Sequence, residues 1–470
     1  LSAPTPLALG APREAILARA AELIAGAWRS FDRYRPQEPP LDARVRALLA
    51  ASLPEAGAPV FEALDDTARI LDESIAQPRP RYFAFIGSSG LEIGVVADAL
   101  ASCFDVNLAR YAAAATEIER QALRWAAELV GFPAGAGSFT SGGTVSNLTA
   151  LAAAREQALP GSRAEGVTGR PTVYASVEVH YSVKRAVELL GFGSSNLRAL
   201  PVDAAHRMLP EQLERALDAD LAAGAAPVAV VASAGTTLTG AIDPLVPIAD
   251  ICAARGVWLH VDGAYGLPAA STRSRGQAFA GLDRADSVSI DAHKWLYVPK
   301  ACSLVLVRDP ATLEAAFAHE AAYMPHEEGE LHAADQTLEY SRPFRGLKLW
   351  LAFHVHGAQA FRDAIERNLA QAELLVEEVR RHPDLELLME PELSVVPFRH
   401  LRQDVADLDE HNRRLAEALQ EDGRVYLASA EIDGRAWLRP CFVNYRTTDE
   451  DVLALVEVVR EVGGRLAPLL

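Results

Sequence analysis

Between about residues 117 and 310 the chain repeats one pattern, a short apolar run followed by a stretch of helical periodicity. The runs fall at residues 172–176, 228–232, 258–261, 287–290 and 303–307, with helical patterns such as 210–223 and 245–254 between them. Strands separated by helices cannot pair as hairpins. Each connection must cross over, which predicts an α/β fold with a mostly parallel central sheet and helices on both faces. Ligands of such sheets lie beyond the carboxyl ends of the strands. The polar residues directly after each apolar run are therefore where chemistry is expected.

The flanks read differently. Ile16, Ala20, Leu23, Ile24 and Trp28 recur at helical spacing and predict an amphipathic helix over 13–31. Its apolar stripe packs either on its own domain or on a second subunit. A Pro-containing stretch at 35–40 ends this helix, and Pro78 and Pro80 mark an extended lead into the main body. After Trp350 a long helical stretch (351–381) is followed by short strands at 394–398 and 436–439. A last helix, 450–462, stands behind Thr447-Thr448-Asp449, a capping region. The expected organisation is a helical N-terminal segment (1–95), a large domain (96–350) and a smaller α+β C-terminal domain (351–470).

With 63 carboxylates against 45 Lys and Arg, the net charge of −18 disfavours nucleic acid or an anionic membrane as the main partner. An anionic small molecule held by a local Arg or Lys remains compatible with it. Cys103, Cys252, Cys302 and Cys441 form no CxxC pair, and no His stands at zinc-ligand spacing, which suits buried thiols in a reducing cytoplasm. Residues 1–12 lack the pattern of a signal peptide. No run of about 18 or more apolar residues predicts a spanning helix. A cytoplasmic protein is expected, with no membrane segment and no metal.

Four segments carry chemistry. In Ser289-Ile290-Asp291-Ala292-His293-Lys294-Trp295 a Lys lies beside His and Asp just beyond an apolar run; surroundings that lower its pKa would make the amine a good nucleophile toward a carbonyl. In Trp258-Leu259-His260-Val261-Asp262-Gly263-Ala264 the carboxylate of Asp262 stands at the active end of a strand, with small residues after it. Such an Asp keeps a pyridine nitrogen protonated, caps the next helix or binds a metal. Phe139-Thr140-Ser141-Gly142-Gly143-Thr144-Val145-Ser146-Asn147 opens a helix with a Gly-rich turn that suits a phosphate dianion or a plain Thr cap, and lacks the P-loop Lys. Val179-His180-Tyr181-Ser182 offers an imidazole that stacks on a flat ring or serves as a structural hydrogen-bonding group.

In this order the four segments resemble the group II pyridoxal phosphate (PLP)-dependent amino acid decarboxylases, which include aromatic amino acid, glutamate and cysteine sulfinate decarboxylases. Further stretches share the likeness: Pro80-Arg81-Tyr82-Phe83-Ala84-Phe85, Thr116-Glu117-Ile118-Glu119, Ser233-Ala234-Gly235-Thr236-Thr237 and Phe344-Arg345-Gly346-Leu347-Lys348-Leu349-Trp350. The similarity covers about residues 41–458. It implies a fold type I PLP enzyme, working as a homodimer with active sites at the subunit interface. Lys294 then corresponds to the lysine that holds PLP as an internal aldimine, and Asp262 to the partner of the pyridinium nitrogen. His180 would stack on the cofactor ring and Ala264 would contact its other face. Gly143 and Thr144 would hold the phosphate, helped by Asp291 or His293, and Thr237 would lie near the phenolic side or the substrate carboxylate. Asp291 replaces an Asn of some relatives, and a carboxylate beside a phosphate repels it unless backbone or water mediates.

The implied reaction converts an L-amino acid to its amine and CO₂ through external aldimine and quinonoid intermediates. The loop at 323–340 departs from the family pattern. Where relatives carry a Tyr that protonates Cα, this chain has Ala333 beside His332, with Tyr323 and Tyr340 unaligned. His332 is an alternative acid. Without a proton donor the reaction diverts to decarboxylation coupled to oxidative deamination, yielding an aldehyde. Another PLP lyase, of the sphingosine-phosphate type, is a further alternative. An aminotransferase would use an Arg of the small domain, for which Arg439 is the candidate. A non-catalytic PLP-binding protein conflicts with the intact Lys294, Asp262 and His180. His326 and His332 stand six apart, which does not fit zinc on one helix face. The stretch Phe85-Ile86-Gly87-Ser88, with Arg81 and Arg110 nearby, leaves the substrate as an aromatic or acidic L-amino acid.

Overall fold

The computed structural model describes residues 8–9, 12–36, 41–319 and 333–467. The chain opens with four helices, α1 (Arg13–Ser30), α2 (Ala43–Ala50), α3 (Val60–Asp72) and α4 (Glu92–Phe104), followed by α5 (Ala114–Val130). The apolar stripe expected on the first helix is only partly covered. Ile16 is its one buried residue, while Leu17 and Ile24 remain exposed.

The large sheet contains β1 (Ala136–Thr140), β2 (Pro171–Ser176), β3 (Leu197–Leu200), β4 (Ala226–Ser233), β5 (Trp258–Asp262), β6 (Ser287–Ile290) and β7 (Ser303–Val307), in the order β1-β7-β6-β5-β4-β2-β3. The pairs β6–β5, β5–β4, β4–β2 and β2–β3 are parallel. β7 runs antiparallel to both β1 and β6. The 291–302 connection carries only one turn of helix, Ala292–Trp295, too little to cross back along the sheet, so β7 returns in the opposite sense. Every residue of β2, β5, β6 and β7 is buried, as expected for a sheet covered on both faces. The helix α6 (Gly143–Ala158) follows β1 directly and buries Ala150 to Ala154 against the sheet.

The C-terminal part forms a four-stranded antiparallel sheet of β8 (Leu385–Leu387), β9 (Phe398–His400), β10 (Ser429–Ile432) and β11 (Arg435–Leu438), in the order β10-β11-β9-β8. The strand expected at 394–398 is reduced to one bridge, Val395 with Cys441, before β9 begins at Phe398. Pro397 has no N–H to offer the ladder. The long helix Gly346–Arg381 starts earlier than its periodicity predicts and breaks at Gly357 (φ 72°, ψ 157°), a backbone state open to glycine. The last helix, Asp449–Arg465, starts from the expected cap: Thr448 and Asp451 form a reciprocal capping box. Phe83 is buried in a core cluster with the C-terminal residues and its N–H donates to Tyr426 O, which ties the 80–85 segment to the C-terminal part.

Candidate active site

The carboxyl ends of β1, β5 and β6 converge, and each delivers one of the segments singled out in the sequence. At the end of β5, Asp262 accepts three hydrogen bonds: from Asn147 Nδ2 (2.8 Å), Ser289 Oγ (3.1 Å) and the Ala264 N–H (3.1 Å). All three donors are neutral. Asn147 stands one turn into α6, and its amide also donates to Ser182 Oγ (2.9 Å). With both bonds made through Nδ2, its Oδ1 must accept, so the 3.0 Å contact with His260 puts the proton on His260 Nε2. His260 Nδ1 then accepts from Ser287 Oγ (2.8 Å), which itself receives Trp258 Nε1–H (2.8 Å). Burial pushes His260 down to about 4, so this ring is neutral and brings no competing charge to Asp262.

His180 sits at the N-cap of the helix Tyr181–Leu189. Its Nδ1 accepts from the Ser182 N–H (3.3 Å) and contacts Ser182 Oγ at 2.8 Å. Since Ser182 Oγ already receives the Asn147 amide, its own proton goes to His180 Nδ1, which leaves Nε2 as the protonated nitrogen of the neutral ring. Burial holds His180 below the usual histidine value; Asp262 opposes this and Lys294 reinforces it. His180 and Asp262 are thus joined through Ser182 and Asn147.

Lys294 lies in the single helical turn after β6, and its Nζ lies 2.8 Å from Asp291 Oδ2. Burial drives its ammonium pKa down, but Asp291, with Asp262 behind it, outweighs burial and leaves the amine above the ordinary lysine value. The sequence reading asked for a lowered value; with its amine free, Lys294 is instead a paired ammonium. Trp295, next to it, stacks on Tyr265 (5.1 Å between ring centres), and Trp295 Nε1 and Tyr297 Oη both donate to Asn368 Oδ1. These bonds fix the lysine segment against the long helix. His293 Nδ1 donates to Cys302 O (3.0 Å), and burial holds its pKa below the usual value.

The turn between β1 and α6 gives no side-chain cap, so the first N–H groups of α6 lack intrahelical carbonyls. Thr140 Oγ1 and Ser146 Oγ, 2.7 Å apart, brace this turn. A Cβ on Gly143 would stand 3.1 and 3.2 Å from the Asp291 oxygens and 3.2 Å from Ala264 Cβ, close enough that these neighbours would have to give by a few tenths of an ångström. Thr237 is placed through its carbonyl, which accepts from Arg439 Nη1 (2.7 Å). Arg439 is 5% exposed, and the ionisable groups acting on it are Cys441 and Tyr265 rather than a carboxylate. The segment after β5 meets the C-terminal part through Tyr265 Oη and Ser394 Oγ, 2.6 Å apart.

Residues 42–401 match the pyridoxal-dependent decarboxylase conserved domain. The chain belongs to the pyridoxal-dependent decarboxylase family. It is 34% identical over 430 residues to an aromatic-L-amino-acid decarboxylase of Bacillus atrophaeus, covering 89% of this chain and 88% of that one. It is 32% identical over 394 residues to the human cysteine sulfinic acid decarboxylase, covering 80% of each. Its fold superimposes on Oryza sativa TDC, a structure solved with PLP and tryptamine, with a TM-score of 0.91 and 28% identity over 98% of this chain and 99% of that one. This decarboxylase is therefore a fold type I, PLP-dependent carboxy-lyase that converts an amino acid to an amine.

The residues present fit that cofactor. Asp262, served only by neutral donors, is free to balance a protonated ring nitrogen, and the uncapped start of α6 suits a phosphate. Lys294 would supply the amine, and Gly143 approaches Ala264 and Asp291 closely. Of the residues singled out in the sequence, Lys294, Asp262, His180, Asp291, His293, Gly143 and Ala264 lie together in the structure. Sequence reasoning passed over Asn147, Ser182, His260, Ser289 and Ser303, which connect them. Two polar residues inside apolar runs, His260 in β5 and Asn147 in α6, were the available signal. His332, together with Tyr323 and His326, lies outside the described residues. Arg81, proposed for an acidic substrate, is instead paired with Asp451 (2.8 Å) and covers the Tyr34 ring. Among the described residues no group of three or more potential ligands gathers for a metal ion.

Proposed function

We propose that the decarboxylase takes an aromatic or acidic L-amino acid at a centre built from Lys294, Asp262 and His180. PLP, when bound, supplies the electron sink for the bond broken at Cα. The observation that carries this reading is the hydrogen-bond chain from Trp258 through Ser287, His260 and Asn147 to Asp262. It fixes Asp262 as an anion-oriented acceptor that would hold a proton on the ring nitrogen, while the neutral His260 cannot compete for it. His180, with Nδ1 engaged, would lay a neutral ring over the cofactor and offer Nε2–H to the reacting side. Gly143 and Thr144 would hold the phosphate end, joined by His293 only when its Nε2 is protonated, since its Nδ1–H is committed to Cys302 O, and Ala264 would pack against the ring face opposite His180. Lys294 would bind the cofactor covalently and be displaced by the substrate amine. Arg439, buried without a carboxylate against it, would orient an anionic substrate group near Thr237. His332 is the proposed donor of the proton to Cα.

The organisation expected from the sequence, 1–95, 96–350 and 351–470, is retained in this proposal, with the first part forming a homodimer in the cytoplasm. The large apolar side chains left open on the N-terminal helices support the dimer: Leu17, Leu49 and Leu71 are 68%, 59% and 64% exposed, and α3 buries no residue. Among the described residues no helix is long and apolar enough to cross a membrane. The test is a panel of L-amino acids assayed for CO₂, amine, ammonia and peroxide, after borohydride reduction has been shown to trap PLP on Lys294. Equal CO₂ and amine establish simple decarboxylation. CO₂ with ammonia and peroxide establishes the aldehyde-forming route, and turnover without CO₂ refutes the reading.

A further inference from the structure

The Asp291 carboxylate stands at the start of α6, where the phosphate of the family's cofactor would be received. It is 2% exposed. Oδ2 is 2.8 Å from Lys294 Nζ, Oδ1 accepts from Ser303 Oγ, and both oxygens lie against the first residue of α6, Gly143. Burial opposes its charge, but Lys294, His293 and Ser303 together outweigh burial and hold the carboxyl below its ordinary value. A fixed negative charge therefore rests beside the anion-receiving end of a helix of sixteen residues.

The cation that balances Asp291 is the one the cofactor consumes. Lys294 gives up a proton to solvent, its neutral nitrogen adds to the aldehyde carbon, a carbon–nitrogen double bond forms and water leaves. Asp291 then keeps the Ser303 hydroxyl. The next positive candidate, His293 Nε2, is 3.9 Å away on a ring whose pKa burial lowers. Two anionic groups would share one helix start in a region of reduced dielectric, where like charges repel far more than in water.

We propose that Asp291 is an internal competitor of the cofactor's phosphate: it pairs with Lys294 and covers the start of α6 when the cofactor is away, and it weakens the hold on the cofactor once bound. The enzyme is thereby built to exchange its cofactor rather than retain it. The inference rests on the PLP site described above and needs no particular substrate.

The experiment compares full-length wild type with Asp291→Asn and Asp291→Ser, each checked for an unchanged unfolding transition. The probes for the cofactor-stripped proteins are inorganic phosphate and pyridoxine 5′-phosphate, which has the phosphate but no aldehyde. Pyridoxal, with the aldehyde but no phosphate, is the control, and PLP release from the holoenzymes is followed by absorbance. Both variants are expected to bind the two phosphate probes about tenfold or more tightly than wild type, and to release PLP correspondingly more slowly. Equal or weaker phosphate binding in both variants overturns the proposal. So does a gain confined to pyridoxal, which would mean that Asp291 acts on the lysine alone. A gain in Asp291→Asn without one in Asp291→Ser also overturns it, because the new amide donor rather than the lost charge would be responsible. If wild type takes up no PLP, the cofactor assignment itself fails, an outcome distinct from these.

Discussion

Replacing Asn147 by Ala tests whether the chain of neutral donors makes Asp262 competent. The substitution removes the 2.8 Å bond to the Asp262 carboxylate, the bond to Ser182 Oγ and the acceptor for His260 Nε2–H. Losing a hydrogen bond to a charged group costs about 1.5–3 kcal/mol, and a buried N–H left without an acceptor adds about 1–3 kcal/mol. We expect a combined destabilisation of about 3–5 kcal/mol. For a chain of 470 residues the unfolding entropy is about 1 kcal/mol/K, so Tm falls by about 3–5 °C. The effect on turnover is larger than on substrate binding. Asp262 retains Ser289 and the Ala264 N–H but loses the donor that sets its second oxygen, and His180 loses the bond that orients Ser182. A misplacement on the order of 1 Å costs about a hundredfold in rate. Accordingly kcat should drop by about that factor with KM changed little. Calorimetry and steady-state assays with saturating PLP check both numbers. A variant within twofold of wild type in kcat, with an unshifted transition, would show that Asp262 is oriented without Asn147.

Other perturbations give separate tests. His260 and His411 are each pushed down to about 4, both by burial first, and His411 next by charge repulsion from the neighbouring His400. At these two groups the unfolded chain binds more protons than the native one, so their contribution to stability is complete above about pH 6.5 and is lost as pH falls toward 4, by up to about 1.4 kcal/mol per pH unit for each histidine, against the opposite slope of Asp243, whose carboxyl burial raises to about 6. Denaturant melts at pH 7 and pH 5 read this slope, and His411→Gln should reduce it. Arg342→Met leaves Glu119 buried without its two-pronged partner (2.7 and 2.6 Å) and should cost about 3–5 kcal/mol by urea melts, whereas exchanging both for apolar residues should cost far less. Gly143→Ala drives a Cβ against the Asp291 oxygens and Ala264; it should weaken PLP binding about tenfold or more, read by equilibrium absorbance titration, while leaving the fold intact.

The parallel rhythm made the large sheet legible, because strands such as β4 and β7 are short, largely apolar runs with polar residues at their ends. β1 and β3 escaped notice for the opposite reason. Ala136-Gly137-Ser138 is small and partly polar, and Leu197-Arg198-Ala199-Leu200 is a half-buried edge. The site residues at strand ends were visible for the same topological reason as the strands. Their supporting bonds were not: Asn147 meets Asp262 across 115 positions and His260 across 113, and no local period encodes such distances. Arg81 shows the same limit from the other side. An unpaired arginine near the site was a fair reading of the sequence, but Asp451, 370 positions away, claims it.

The two aspartates of the site differ in what compensates them, and this difference follows from which strand each one ends. Asp262 ends β5, between β4 and β6, where neighbouring strands and α6 present hydroxyl, amide and backbone donors but no cation. Its charge is therefore stabilised yet unspent, as a partner for a cationic ring nitrogen requires. Asp291 ends β6, next to the antiparallel β7, and its connection folds back at once to place Lys294 three residues on. Its charge is spent on the lysine while that amine is free. Exchanging the two environments would defeat both proposed roles: a lysine on Asp262 would discharge the group proposed to face the ring. Neutral donors alone on Asp291 would leave Lys294 unpaired and place a bare anion at the phosphate-receiving end of α6. The antiparallel return of β7 thus separates the two charges by role.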